Sequence, residues 1–103
     1  MKGIVWCNTF FEGIEQIEKI EEQYKKLNIK VIEKNKSINH YSITFENKDV
    51  WRVILATNNA RGYKCNISYI SYQIPSSIIR DIIYPTTIAF PYSAYHYYGE
   101  PLL

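Results

Sequence analysis

The start of the chain constrains its fold most: an apolar run, Gly3 to Cys7, leads at once into Thr9-x-x-Glu12 and then into a helical stripe. The T-x-x-E spacing is that of a capping box, in which a threonine hydroxyl and a glutamate carboxylate satisfy the first free amides of a helix. Phe11, Ile14, Ile17, Ile20, Tyr24 and Leu27 recur at steps of three and four, which places them on one helix face. Glu15/Lys19, Glu21/Lys25 and Glu22/Lys26 stand four apart on the other face, each with the acid first, the favourable order. A buried strand followed by an amphipathic helix is the opening of a layered α/β fold.

The rest of the chain continues that pattern. Ile29 to Ile32 is a short second strand, expected to run parallel to the first through a right-handed crossover. His40 to Phe45 alternates, with Tyr41, Ile43 and Phe45 on one face and Ser42 and Thr44 on the other, and Glu46 to Asp49 turns it into Val50 to Ala56 as a hairpin. Cys65 to Tyr72 is a fifth strand. Pro75 suits a first helical turn, Ser76 to Tyr84 carries Ile78, Ile79, Ile82 and Ile83 at helical spacing, and Pro85 is expected to end that helix. These five strands and two helices make an α/β class with a mixed sheet and helices packed on it. Trp6 and Trp51 are expected in the core.

With 103 residues the chain is one small domain. Residues 1–85 form the expected α/β core. Residues 86–103 form an aromatic tail, with too many prolines and glycines for a helix, which should be irregular and pack on the core or on a partner subunit. Tyr92, Tyr95, His96, Tyr97 and Tyr98 are its candidate interface residues, and ten tyrosines in so short a chain point to a homo-oligomer. A net charge of +2 with 21% charged residues gives no strong field, so nucleic acid is not favoured as a partner. Lys30, Lys34 and Lys36 make one local basic cluster and Arg52, Arg61 and Lys64 a second. The opening apolar run is too short for a signal sequence or a membrane span, so the expected location is the cytoplasm, with no membrane partner. Cys7 and Cys65 are then expected as reduced, buried thiols. With His40 and His96 they match the atom count of a zinc site but not its spacing, so neither a metal nor a cofactor is expected.

Asn58-Asn59-Ala60-Arg61-Gly62 interrupts two strands with groups that no core requires. Two amides, a guanidinium and a glycine put donors and acceptors on a loop whose backbone can be approached closely. In an open α/β sheet, ligands collect at the carboxyl ends of the strands, where Asn8 and Thr9 open the first helix with its positive end outward. The candidate ligand-binding set is therefore Asn8, Thr9, Asn58, Asn59, Arg61, Gly62 and Lys64, arranged for an anion. The competing reading is a plain tight turn, with Gly62 supplying a positive φ and Arg61 paired to a surface carboxylate.

Three segments, VWCNTFFEGIEQIEKI, DVWRVILATNNARGYK and YISYQIPSSIIRDIIYP, resemble the later part of the ATPase domain of phage large terminases, the DNA-packaging motors. The resemblance covers residues 3 to 85. In those proteins too a strand leads into a turn with arginine and glycine, and the next strand ends in the acidic Walker B pair ahead of a helix. The chain departs from them at the chemistry. It has no G-x-x-x-x-G-K-[ST], and Ile70-Ser71-Tyr72 stands where the magnesium-holding acids would be. The resemblance thus implies a phage or prophage origin and a small α/β sheet, without nucleotide hydrolysis. No catalytic set emerges among the cysteines, histidines or carboxylates. The expected function is a binding protein that sequesters an anionic ligand or inhibits a partner protein. The alternative is an enzyme acting on a nucleotide or nucleic-acid phosphate, with Arg61 and Lys64 as an electrostatic clamp.

Overall fold

The structure, a computed structural model, describes residues 1–38, 40–60, 62–87 and 95–101. Strand β1 (Lys2–Cys7) leads into helix α1 (Phe10–Lys26), and β2 (Val31–Ser37), β3 (His40–Phe45), β4 (Val50–Leu55) and β5 (Ile67–Ser71) follow. A second helical segment comprises α2 (Ser76–Ile78), a π-helical stretch (Ile79–Ile83) and α3 (Tyr84–Thr86), and the last element is β6 (Tyr95–Tyr98). All strands join one mixed sheet in the order β2-β3-β4-β1-β5-β6. β1 lies parallel between β4 and β5, β6 runs parallel to β5, and β2, β3 and β4 are antiparallel.

Several expectations change here. β1 and β2 do run in the same direction, but β4 and β3 stand between them. The strand that pairs with β1 is Val50–Leu55, whose apolar residues tolerate burial, whereas Val31–Ser37 carries Glu33, Lys34 and Lys36 and is exposed along its length at the edge. Pro85 does not stop the second helix. It lacks an N–H and crowds the carbonyl one turn back; the wider turn that precedes it, where the Tyr84 N–H reaches Ile79 O, absorbs that crowding and the helix runs on to Thr86. The tail is not wholly irregular either, since Tyr95–Tyr98 form β6.

The capping box forms as its spacing implies: Thr9 Oγ1 accepts from Glu12 N (3.4 Å) and Glu12 Oε2 from Thr9 N (2.9 Å). Ile17 and Ile20 of α1 meet Val5, Cys7, Ile43, Phe45 and Val53 on one face of the sheet. Phe10, Ile14 and Tyr24 flank them, while Phe11 and Leu27 are 74% and 71% exposed, so the stripe enters the core through Phe10 rather than Phe11. On the opposite face Ile74, Ile82 and Ile83 close over Ile4, Trp6 and Ile70. Both tryptophans are buried, as expected. None of the described helices is long and apolar enough to cross a membrane.

Tyr24 ties α1 to the sheet. Its hydroxyl donates to Asp49 Oδ2 (2.7 Å) and accepts from Trp51 Nε1 (3.0 Å), and its ring stacks on Phe45 at 3.8 Å. Burial first, and then the bond to Asp49, push its pKa from 10.0 up to about 12. A proton held more tightly in the folded state stabilises the fold below the unfolded pKa and ceases to do so as pH rises through the folded one. Urea unfolding should therefore give a level stability up to the unfolded tyrosine pKa and a steady fall from about pH 10 to about pH 12. A stability that stays level through that window would contradict this role for Tyr24.

Candidate functional site

At the carboxyl end of the parallel strands, Cys7 of β1 pairs with Leu55 of β4, and Ala56 N donates to Cys7 O at 2.9 Å. Asn8 and Thr9 therefore leave the same sheet edge as the turn that begins at Thr57, where Ala60 N donates to Thr57 O (3.0 Å). Asn58 and Asn59 are exposed in that turn. The amides of Asn8 and Thr9, however, do not face outward to a ligand. Both donate to Glu12 Oε2, at 3.0 and 2.9 Å, and Glu12 Oε1 accepts a short hydrogen bond from Ser71 Oγ. The carboxylate of the capping box fills the positive end of α1 with a charge the chain carries itself. Ser71 thus helps to hold that glutamate. Glu12→Ala should cost about 1–2 kcal/mol in urea unfolding through the lost cap; a change near zero would mean that water serves these amides equally well.

The chain then crosses back over the sheet face opposite α1. Asn66 N donates to Lys2 O (2.7 Å) and Lys2 N to Asn66 Oδ1 (2.8 Å), so β5 starts beside the amino end of β1. This crossing divides the expected ligand set. Asn8, Thr9, Asn58 and Asn59 belong to the carboxyl edge, whereas Gly62, at φ +90°, and Lys64 lie by Lys2 and Gly3. Arg61 lies outside the described residues.

A groove results on this face. Lys2, Ile4, Arg52, Gly62, Tyr63 and Lys64 line a cavity of about 400 Å³, and a second of about 240 Å³ adjoins it, sharing Arg52 and Tyr63 and adding His40, Thr57 and Asn59. Strand alternation supplies the cations: Trp51 and Val53 turn toward α1, so Arg52 between them turns away, opposite Ile4 in β1 and Ser42 in β3. No carboxylate is among the described residues lining either cavity. Among the described residues, the side chains of Lys2, Arg52 and Lys64 make no ion pair. The other basic cluster differs, because Lys34 is held by Glu21 at 3.0 Å. Lys2 and Arg52 are far apart in sequence, and only the β1–β4 register brings them together.

Of the candidate interface residues, Tyr98 donates its hydroxyl to Trp6 O (2.7 Å) and His96 stacks on Tyr69 at 4.9 Å. Tyr97 stacks on Tyr72 and Tyr95 meets Tyr84 edge-on. Tyr92 lies outside the described residues. Cys7 and Cys65 are free and buried. Burial, then the nearby Glu12 charge, raise the Cys7 thiol from 9.0 to about 12, so it stays protonated at neutral pH. Native protein should therefore react with an aromatic disulfide reagent at neither cysteine until denaturant is added; prompt labelling of the folded chain would contradict this burial. Among the described residues no group of three or more His, Cys, Asp or Glu is placed to hold a metal ion.

No protein-family model matches the sequence, and no curated protein matches it. Two solved structures of the large terminase from a thermophilic bacteriophage do share its fold. One crystal form superposes with a TM-score of 0.62 at 14% identity, over 93% of this chain and 24% of the terminase. A second gives 0.61 at 13% identity, over 93% and 25%. The chain thus spans about a quarter of the protein it resembles, and the likeness read from its sequence is a likeness of fold.

Proposed function

We propose that this protein is a small phage-type binding protein that holds an anionic ligand, or an acidic patch of a partner protein, between Lys2, Arg52 and Lys64. It acts by sequestration or inhibition, without catalysis. The observation that carries this reading is the groove itself: three cations around one half-exposed tyrosine, with no carboxylate among the described residues lining it. Charges left without a partner beside a concave surface favour an incoming anion, because binding then costs no existing ion pair. The fold adds support, since Glu12 fills the helix end where an open α/β sheet would otherwise receive a phosphate.

The test is calorimetric titration with inorganic pyrophosphate, a compact multivalent anion. Loss of one charge-assisted contact is worth about 1.5–3 kcal/mol, so Arg52→Ala should weaken binding by about ten- to a hundredfold. The unfolding free energy should move by less than about 1 kcal/mol, since Arg52 is exposed. Phosphate released from pyrophosphate or a nucleotide by the purified chain would overturn the non-catalytic reading.

A further inference from the structure

The two edges of the sheet are built differently. β2 carries Glu33, Lys34 and Lys36 and a break in register between Val31 and Glu33, which are devices that discourage a further strand from adding. β6, Tyr95-His96-Tyr97-Tyr98, carries no Lys, Arg, Asp, Glu or Pro and pairs with β5 in unbroken register. Tyr98 O accepts from Tyr72 N (3.1 Å), so Tyr98, and His96 two residues before it, turn their backbone groups toward β5. Tyr95 and Tyr97 then turn their N–H and C=O groups outward. Among the described residues no strand pairs with that side.

We infer that β6 is an interface strand, through which two copies of this chain join edge to edge by antiparallel β6–β6 pairing. A second copy suits this edge because antiparallel pairing about a twofold axis opposes aromatic rings and places no like charges across the seam: with the axis at Tyr97, Tyr97 faces Tyr97 of the partner subunit, and His96 faces Tyr98 of the partner subunit. The surface beside the strand continues the match. Tyr72, Tyr84, Tyr95 and Tyr97 touch one another and are each 37–45% exposed, an aromatic patch of the kind enriched in protein interfaces. The pairing would join the two sheets into one, with the cationic groove on the far side of β1 left open, so this inference stands apart from the anion-binding reading.

The experiment is sedimentation of the full chain from low to high micromolar concentration, with Tyr97→Pro and Tyr97→Lys beside the parent and Lys34→Ala as a control on the other edge. The parent should sediment at twice the chain mass. Tyr97→Pro removes an outward N–H without touching the ladder to β5 and should be monomeric. Tyr97→Lys puts a charge at the seam and should weaken the dimer at least about tenfold. Circular dichroism reports whether each variant folds, and Tyr97→Lys decides the matter if Tyr97→Pro does not. A monomeric parent at every concentration, a dimer unchanged by Tyr97→Lys, or a dimer lost in Lys34→Ala would each overturn the inference.

Discussion

Trp6→Ala should lower the unfolding free energy by about 3–5 kcal/mol, the cost of truncating a large buried aromatic. Trp6 is 0% exposed in the central strand and meets the second helical segment through the cluster of Ile4, Ile70, Ile74, Ile82 and Ile83. Its indole N–H donates to Ser68 Oγ at 3.0 Å. Ser68 keeps a bond to Thr87 Oγ1 (2.7 Å) in the variant, so the loss is chiefly one of packing and not of an orphaned polar group. A domain of this size has about 5–15 kcal/mol in total. The variant should therefore melt far below the parent or fail to fold, and a loss under about 1 kcal/mol in urea unfolding would show that this face of the sheet is not packed as described.

Gly3→Val should be the second most damaging change, with a sign opposite to the one propensity gives. Valine suits a strand better than glycine, by up to about 1 kcal/mol. Here, though, a Cβ on residue 3 would meet the Trp51 ring at 2.3–2.5 Å. Trp51 is buried and bonded to Tyr24, which in turn holds Asp49, so the ring cannot step aside without loosening α1 from the sheet. Overpacking costs about 1–3 kcal/mol, and the lost Tyr24 contacts add to it, so a net loss of about 2–3 kcal/mol is expected. Near-ultraviolet circular dichroism should register the displaced indole; a more stable variant would refute the close approach.

Local signals made α1 legible. The capping box and the apolar steps lie within one stretch of chain, and only the ends of the stripe, Phe11 and Leu27, prove exposed. Strand order was not legible, because it depends on partners distant in sequence: nothing in Val31–Ser37 alone says that β4 will take the place beside β1. The same limit hid the groove, since Lys2 and Arg52 meet only through the β1–β4 register. β6 was invisible for a related reason. Tyr-His-Tyr-Tyr has no periodicity of its own that separates strand from loop, and it becomes a strand by pairing with β5. Glu12 is different. The box that marks the start of α1 already implies that the Asn8 and Thr9 amides have a carboxylate, which removes them from the anion site that Asn58 and Asn59 would complete.

The central claim is that the anion site lies in the groove on the open sheet face and not at the end of α1. Calorimetric titration of pyrophosphate into the parent, Arg52→Glu, Lys64→Glu and Glu12→Gln separates the two places. The groove reading predicts measurable binding by the parent, at least about tenfold weaker binding after either charge reversal, and little change in Glu12→Gln. Equal binding by the parent and both reversal variants, or binding that appears only when the Glu12 charge is removed, would contradict it.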